Sequence, residues 1–276
     1  MAEIMKLIKQ LKLSTFQVII SLFFLSTEIS FAQNKKINLK DWEGSYIGVG
    51  VANSSSKTEV RSTTNYDHFG LKYSGTKDKE QNEVIYKIGY LENLNNNLFF
   101  GLELNKYADI KKESKNNNPS DATDTTRLHL EDILSLELKL GAILDVENEL
   151  LNNSMIYGKV GAATLRSATK SYEPGKGFDT HIGSSKARHY GSVIGIGMEK
   201  KLLIFDDPKI KNNTSISLEY NIMHFNKKTE GADSAGSIVN TGTPESYIVK
   251  PKINNLMLTI NYKFSDNTLG LKNLIK

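Results

Sequence analysis

The sequence predicts an all-β fold: an eight-stranded antiparallel up-and-down barrel that crosses a membrane, with long external loops and short periplasmic turns. Three observations predict it. The stretch Asn255 to Phe264 alternates strictly, with Leu256, Leu258, Ile260, Tyr262 and Phe264 on one face and Met257, Thr259, Asn261 and Lys263 on the other. A period of two is a strand's period, and no helix can use it. The amino terminus reads as an export signal, and the connections between candidate strands alternate between short and long.

Residues 1–32 carry Lys6, Lys9 and Lys12, then an apolar run from Phe16 through Leu25, then Ser30-Phe31-Ala32. A basic start, a short apolar core and small residues before Gln33 are the features of a secretory signal peptide, with cleavage expected after Ala32. A retained anchor is the rival reading, opposed by Glu28 and by the S-x-A site. No cysteine occurs in the chain, which removes disulfides, thiolate metal sites and cysteine nucleophiles together. After Ala32 no run of about 18 apolar residues follows, so membrane crossing by helices is not expected. In a β-barrel every second residue faces inward, so a polar average hydropathy is what such a wall produces.

The formal net charge is +4. Three lysines against Glu3 and Glu28 put one unit in the signal, leaving about +3 on the exported part, scattered rather than concentrated on one element. A nucleic-acid partner is therefore not expected.

A polar lead-in, 33–44, precedes the first strand, Ser45 to Asn53, with Ile47, Val49 and Val51 on one face. The second, Glu83 to Glu92, sets Val84, Tyr86, Ile88 and Tyr90 outward. An Asn-rich turn around 93–97 follows, asparagine being suited to left-handed backbone angles. The third strand, Leu98 to Lys106, alternates Leu98, Phe100, Leu102 and Leu104 with Phe99, Gly101, Glu103 and Asn105. The fourth, Ile133 to Ile143, lines up Leu134, Leu136, Leu138 and Leu140 against Ser135, Glu137, Lys139 and Gly141; on a helix those leucines would scatter. The fifth, Met155 to Ala163, is blurred, with Ile156 and Val160 against Lys159. The sixth, Tyr190 to Lys200, sets Ile194 and Ile196 against Val193 and Glu199, and the seventh, Thr214 to Phe225, sets Ile216, Leu218 and Tyr220 against Ser217 and Glu219. The closing strand makes eight, within a barrel expected at 45–264 and followed by a polar tail, 265–276. Long polar stretches near 54–82, 107–132, 164–189 and 226–246 read as external loops, and the intervening connections as periplasmic turns.

With the leucine faces toward lipid, the opposite faces collect Lys87, Glu103, Glu137, Lys139, Lys159, Glu199, Glu219 and Lys263, balanced in sign. An eight-stranded barrel is just wide enough for side chains to fill its interior, so these residues are expected to pair across the lumen. Leu134, Leu136, Leu138, Leu140, Leu256, Leu258 and Ile260 are the expected lipid-facing set. The inner face also carries many glycines, where small side chains leave room in a strongly curved wall.

The segments Trp42-Glu43-Gly44-Ser45-Tyr46-Ile47-Gly48, Phe100-Gly101-Leu102-Glu103, Lys139-Leu140-Gly141-Ala142, Gly195-Ile196-Gly197-Met198-Glu199 and Asn261-Tyr262-Lys263-Phe264 resemble the small outer-membrane barrels of alphaproteobacteria, a porin-like, OmpA/OmpX-type family. The resemblance spans about Trp42 to Phe264. It implies an outer-membrane location in a Gram-negative bacterium and recognition of Tyr262 and Phe264 by the barrel assembly machinery. This chain departs from the family by continuing past Phe264, and its short, polar tail is not expected to be a peptidoglycan-binding domain of the kind attached to some relatives.

Catalysis and metal binding are not expected, and no cofactor is. His189 with Ser192 and His224 with Ser217 are the Ser–His candidates, but serines are abundant and nothing orients either pair. His68, His129 and His181 lack the spacing and carboxylate partners of a metal site, and the Gly175 to Gly177 stretch lacks the strand-to-helix setting of a phosphate loop. Tyr66, Phe69, Tyr73 and Tyr172 are candidate anchors for an external ligand or girdle residues at strand ends. The expected function is a non-enzymatic, monomeric surface barrel in contact with outer-membrane lipid, with loops that bind an external ligand and room for weak pore activity. A small-solute diffusion porin and a soluble periplasmic barrel around an apolar ligand remain as alternatives.

Overall fold

The computed structural model describes residues 42–62, 74–95, 97–115, 125–144, 146, 151–174, 179–202, 213–231 and 246–264. The expected signal peptide with its cleavage site at Ala32, the tail after Phe264, and His68, Tyr66, Phe69 and Tyr73 lie outside them, as do the side chains of His181 and Tyr172. Ten strand segments follow in order: β1 (Gly44–Ser62), β2 (Ser74–Asn95), β3 (Leu98–Tyr107), β4 (Ile110–Lys115), β5 (Thr125–Leu144), β6 (Ser154–Pro174), β7 (Asp179–Lys201), β8 (Thr214–Phe225), β9 (Lys228–Gly231) and β10 (Ser246–Lys263). β4 resumes the course of β3 along β5, and β9 resumes that of β8 along β10, so eight staves make the wall. Every pairing is antiparallel, and β1 pairs with β10, which closes the sheet. The protein is an all-β, closed, eight-stranded antiparallel barrel.

Closure fixes the geometry. Stepping across lateral partners from Gly44 through Leu91, Gly101, Lys139, Lys159, Gly195, Asn221 and Asn255 returns to β1 at Ser54, so the stagger is 54 minus 44, or ten residues. Eight strands with that stagger tilt by about 40° and enclose a cylinder of about 8 Å radius. Each residue therefore climbs about 2.5 Å along the axis.

The strands run well past the expected bounds. β7 is 23 residues and β2 is 22, and a strand of that length rises about 55 Å at this tilt. Large parts of three of the four stretches expected as external loops are strand: 54–61 and 74–81 pair with each other, as do 125–131 with 166–172 and 164–174 with 179–190, and in the fourth 228–231 pairs with 246–249. The expectation fails for a physical reason. Beyond the membrane the outer face meets water and turns polar, as at Asn53, Ser55 and Lys57, while the inner face at Ser54, Ser56 and Thr58 is polar too, so the hydropathy alternation vanishes although the ladder continues.

The outer face carries an apolar belt. Ile47, Val49, Tyr86, Ile88, Leu102, Leu138, Val160, Ile194 and Ile260 all point outward and are exposed, and Ile196 is 67% exposed. On β10 the belt from Leu256 to Phe264 covers about 20 Å of height, close to the apolar band of about 25 Å on membrane barrels. A contiguous apolar surface of this extent is not tolerated in water.

Two local devices shape the periplasmic end. Tyr46 lies across from Gly89 and Tyr157 across from Gly197. A Cβ at either glycine would stand within 2.5 Å or 2.6 Å of the tyrosine ring, so each glycine gives its partner ring room to lie over the backbone. Asn153 adopts φ 55° in the turn before β6, an angle asparagine accepts, and its side-chain oxygen receives the indole N–H of Trp42 at 3.1 Å.

Candidate functional site

The lumen is built in three layers. At the periplasmic end Trp42, Tyr46, Leu91, Phe99, Ile143, Met155 and Tyr157 form an apolar plug. At the external end Ala52, Ile85, Tyr107, Leu130, Ile133, Leu165, Val193, Met223, Phe225 and Met257 are members of a second. Between them lie the charges.

Lys159 is the hub. Its ammonium stands 2.9 Å from Glu103 Oε1, 2.7 Å from Glu137 Oε2 and 2.5 Å from Glu219 Oε2. Lys87 donates to Glu219 and lies 3.8 Å from Glu103. Lys139 pairs with Glu199 at 2.9 Å and places its ammonium 3.7 Å from the centre of the Tyr157 ring. Neutral donors complete the carboxylates. Tyr46 Oη donates to Glu103 at 2.6 Å, Tyr157 Oη to Glu219 at 2.8 Å, Asn105 Nδ2 to Glu137 at 2.9 Å and Ser215 Oγ to Glu199 at 2.5 Å. Lys263 donates to the carbonyl of Trp42, fastening the closing strand to the start of the barrel. All eight charged residues expected inside are buried, seven joined in ion pairs and Lys263 held by that backbone carbonyl.

The reason is register. Lys139 and Lys159 are lateral partners, as are Glu103 and Glu137, so like charges sit directly side by side on the wall. Such pairs repel, and the repulsion is relieved because the wall curves tightly enough for Lys159 to reach past β7 to Glu219 on β8. The charges pack against one another in the middle of the lumen. The side chains of Lys159 and Glu137 are 0% exposed, and the layers above and below are largely apolar, with Glu83 and His189 buried among the apolar residues of the external one.

The expected lipid-facing residues lie on the outer wall, with Leu136, Leu138, Leu140 and Ile260 exposed and Leu134, Leu256 and Leu258 partly covered. Tyr262 and Phe264 stand together at the periplasmic rim, their rings edge to face at 5.6 Å. Neither Ser–His candidate forms. His189 is buried inside while Ser192 faces out, and His224 faces out while Ser217 is buried. His189 instead lies 2.8 Å from Ser167 Oγ and 3.0 Å from the carbonyl of Asn226, a hydrogen-bonded histidine within the external layer. His129 lies 3.9 Å from Glu131. Among the described residues no group of three His, Asp or Glu is placed to hold a metal. Sequence reasoning missed Trp42, treated as lead-in. Its signal was the pairing of the chain's single tryptophan with Gly44 at the barrel's mouth.

A closed barrel with an apolar outer belt and a filled lumen defines the class: a small membrane β-barrel. Three solved structures of outer-membrane barrels resemble it in outline. One is Ail, the attachment invasion locus protein of Yersinia pestis, in complex with the heparin analogue sucrose octasulfate, at 16% identity and TM-score 0.39, covering 80% of this chain and 99% of that one. Another is OprG of Pseudomonas aeruginosa, at 12% and 0.46, covering 80% and 97%. The third is the protease OmpT of Escherichia coli, at 9% and 0.36, with the same coverage. No protein-family model matches the chain, and no curated protein does.

Proposed function

We propose that this chain is an outer-membrane β-barrel of a Gram-negative bacterium, monomeric and non-enzymatic, that conducts no solute and acts through the wall it raises outside the membrane. The observation that carries this reading is the conjunction of an apolar belt outside with a lumen sealed at three levels. The belt calls for lipid around the wall. The three-layer lumen supports neither a diffusion porin nor a barrel holding an apolar ligand, because side chains occupy the space either would need. The tall external staves replace loops as the surface on which a ligand would dock.

The folded protein in planar bilayers is expected to give no regular conductance steps. Folding is established beforehand by the heat-dependent mobility shift of barrels on gels. Steps that scale with salt concentration, from protein shown to be folded, would restore the porin reading.

Tyr262 and Phe264 are proposed as the signal read by the barrel assembly machinery, at the rim where the closing strand meets β1. Phe264→Ala is expected to lower the outer-membrane level of the protein severalfold without lowering its synthesis. Undiminished levels would place the signal elsewhere.

A further inference from the structure

Above the belt the outer wall is unevenly charged. On β7, β8, β9 and β10 the outward-facing basic residues include Arg188 and Lys186, then His224, then Lys228, then Lys250 and Lys252. They form one patch. Lys252 and His224 are lateral partners across the β10–β8 seam. Lys228 extends back over the ring of Tyr190, 5.7 Å from its centre, which places it beside Arg188 on β7. Among the described side chains of these four segments no carboxylate faces outward at this level. On the neighbouring strand β6 the lateral partner of Arg188 is Arg166, which is paired to Asp132, so the patch is bounded on that side by a balanced pair.

Height sets what such a patch can meet. His224 stands two residues beyond Ile222, Lys252 four beyond Leu256 and Arg188 six beyond Ile194. These steps put the cations about 5 to 15 Å outside the belt's edge. They face sideways, in the plane of the leaflet, and long basic side chains bend back toward the interface. The headgroup layer occupies about 5 to 7 Å on each side of the hydrocarbon, so phosphates carried on sugars that project beyond it fall within reach. Tyr190, 59% exposed, sits at the belt's upper edge just below Arg188, where an amphipathic ring anchors at the membrane surface.

We propose that Arg188, Lys228 and Lys252, with His224 between the strands, bind the phosphate groups of a phosphorylated glycolipid in the external leaflet. The site rests on the membrane-barrel reading and adds a specific lipid to it. A lipid is favoured over a soluble polyanion because the cations lie on the side wall next to the leaflet, not at the strand tips.

The test uses the folded barrel in phosphatidylcholine nanodiscs, titrated with diphosphorylated lipid A. Binding is expected, and the triple variant R188Q/K228Q/K252Q should weaken it about a hundredfold, each basic residue near a membrane surface contributing about a fivefold factor. Lipid A stripped of its phosphates should bind no better to the wild type than to the variant. Equal affinity of variant and wild type, or equal binding of the dephosphorylated lipid, overturns the proposal. Displacement of bound lipid A by dextran sulfate at comparable charge also overturns it, assigning the patch to a soluble polyanion. Failure of the underlying reading looks different: the wild type would stay dispersed without detergent and would not enter nanodiscs at all.

Discussion

Lys159→Met is expected to destabilise the barrel by about 3–5 kcal/mol, the cost of removing one partner from a buried ion network. Lys159 alone touches Glu103, Glu137 and Glu219. Without it Lys87 is left to offset Glu219 and Glu103, and Glu137 keeps its neutral donors Asn105 and Ser135. Urea titration in detergent, followed by the heat-dependent gel shift, reads the effect as a lowered midpoint or as failure to refold. Adding Glu137→Gln to the variant removes one unpaired charge while keeping the acceptor for Asn105 and Ser135, and should recover a substantial part of the loss. That coupling separates a charge effect from a mere cavity. An unchanged midpoint in Lys159→Met would mean that the lumen admits enough water to solvate its acids, and the sealed barrel would go with it.

Ile196→Arg should cost about 2–4 kcal/mol in a bilayer, because Ile196 faces outward near mid-belt, where a lipid-facing arginine is most expensive. Its lateral neighbours are Gly158 and Tyr220, so the new side chain meets no acid on the wall. Ser192→Arg, on the same strand and face but at the external edge, should cost about 0–1 kcal/mol. The measurement is the difference between the two in reversible urea unfolding from vesicles. Equal and negligible costs would show that the belt meets water, and the soluble-barrel alternative would return.

The two substitutions probe opposite faces of one wall, and the sequence alone separates those faces. Leu134 to Leu140 against Ser135 to Lys139 can be partitioned in one way only, since a one-residue slip would put Glu137 and Lys139 into lipid. From that partition came the strand positions within the membrane, their number, the inward charges and the outward leucines. Hydropathy could not show where the strands end, because above the membrane both faces are polar, as in the 53–58 segment of β1. It could not show the Ser–His relations either: His189 and Ser192 are three apart, and an odd separation in a strand puts two side chains on opposite faces. That arithmetic was available from the sequence and would have dismissed the pair outright.

By itself the sequence determined an alternating, closed, eight-stave wall with charge inside and leucine outside, because a period of two is a local property that each strand carries alone. Which lysine meets which glutamate was decided only by the tertiary structure. A stagger of ten residues brings Lys159 within reach of Glu219 from two strands away, lets Trp42 and Tyr46 seat themselves under the ion layer, and gathers Arg188, Lys228 and Lys252 into one patch. Those meetings depend on how far each strand slides against its neighbour before the sheet closes, a global quantity that no single strand encodes.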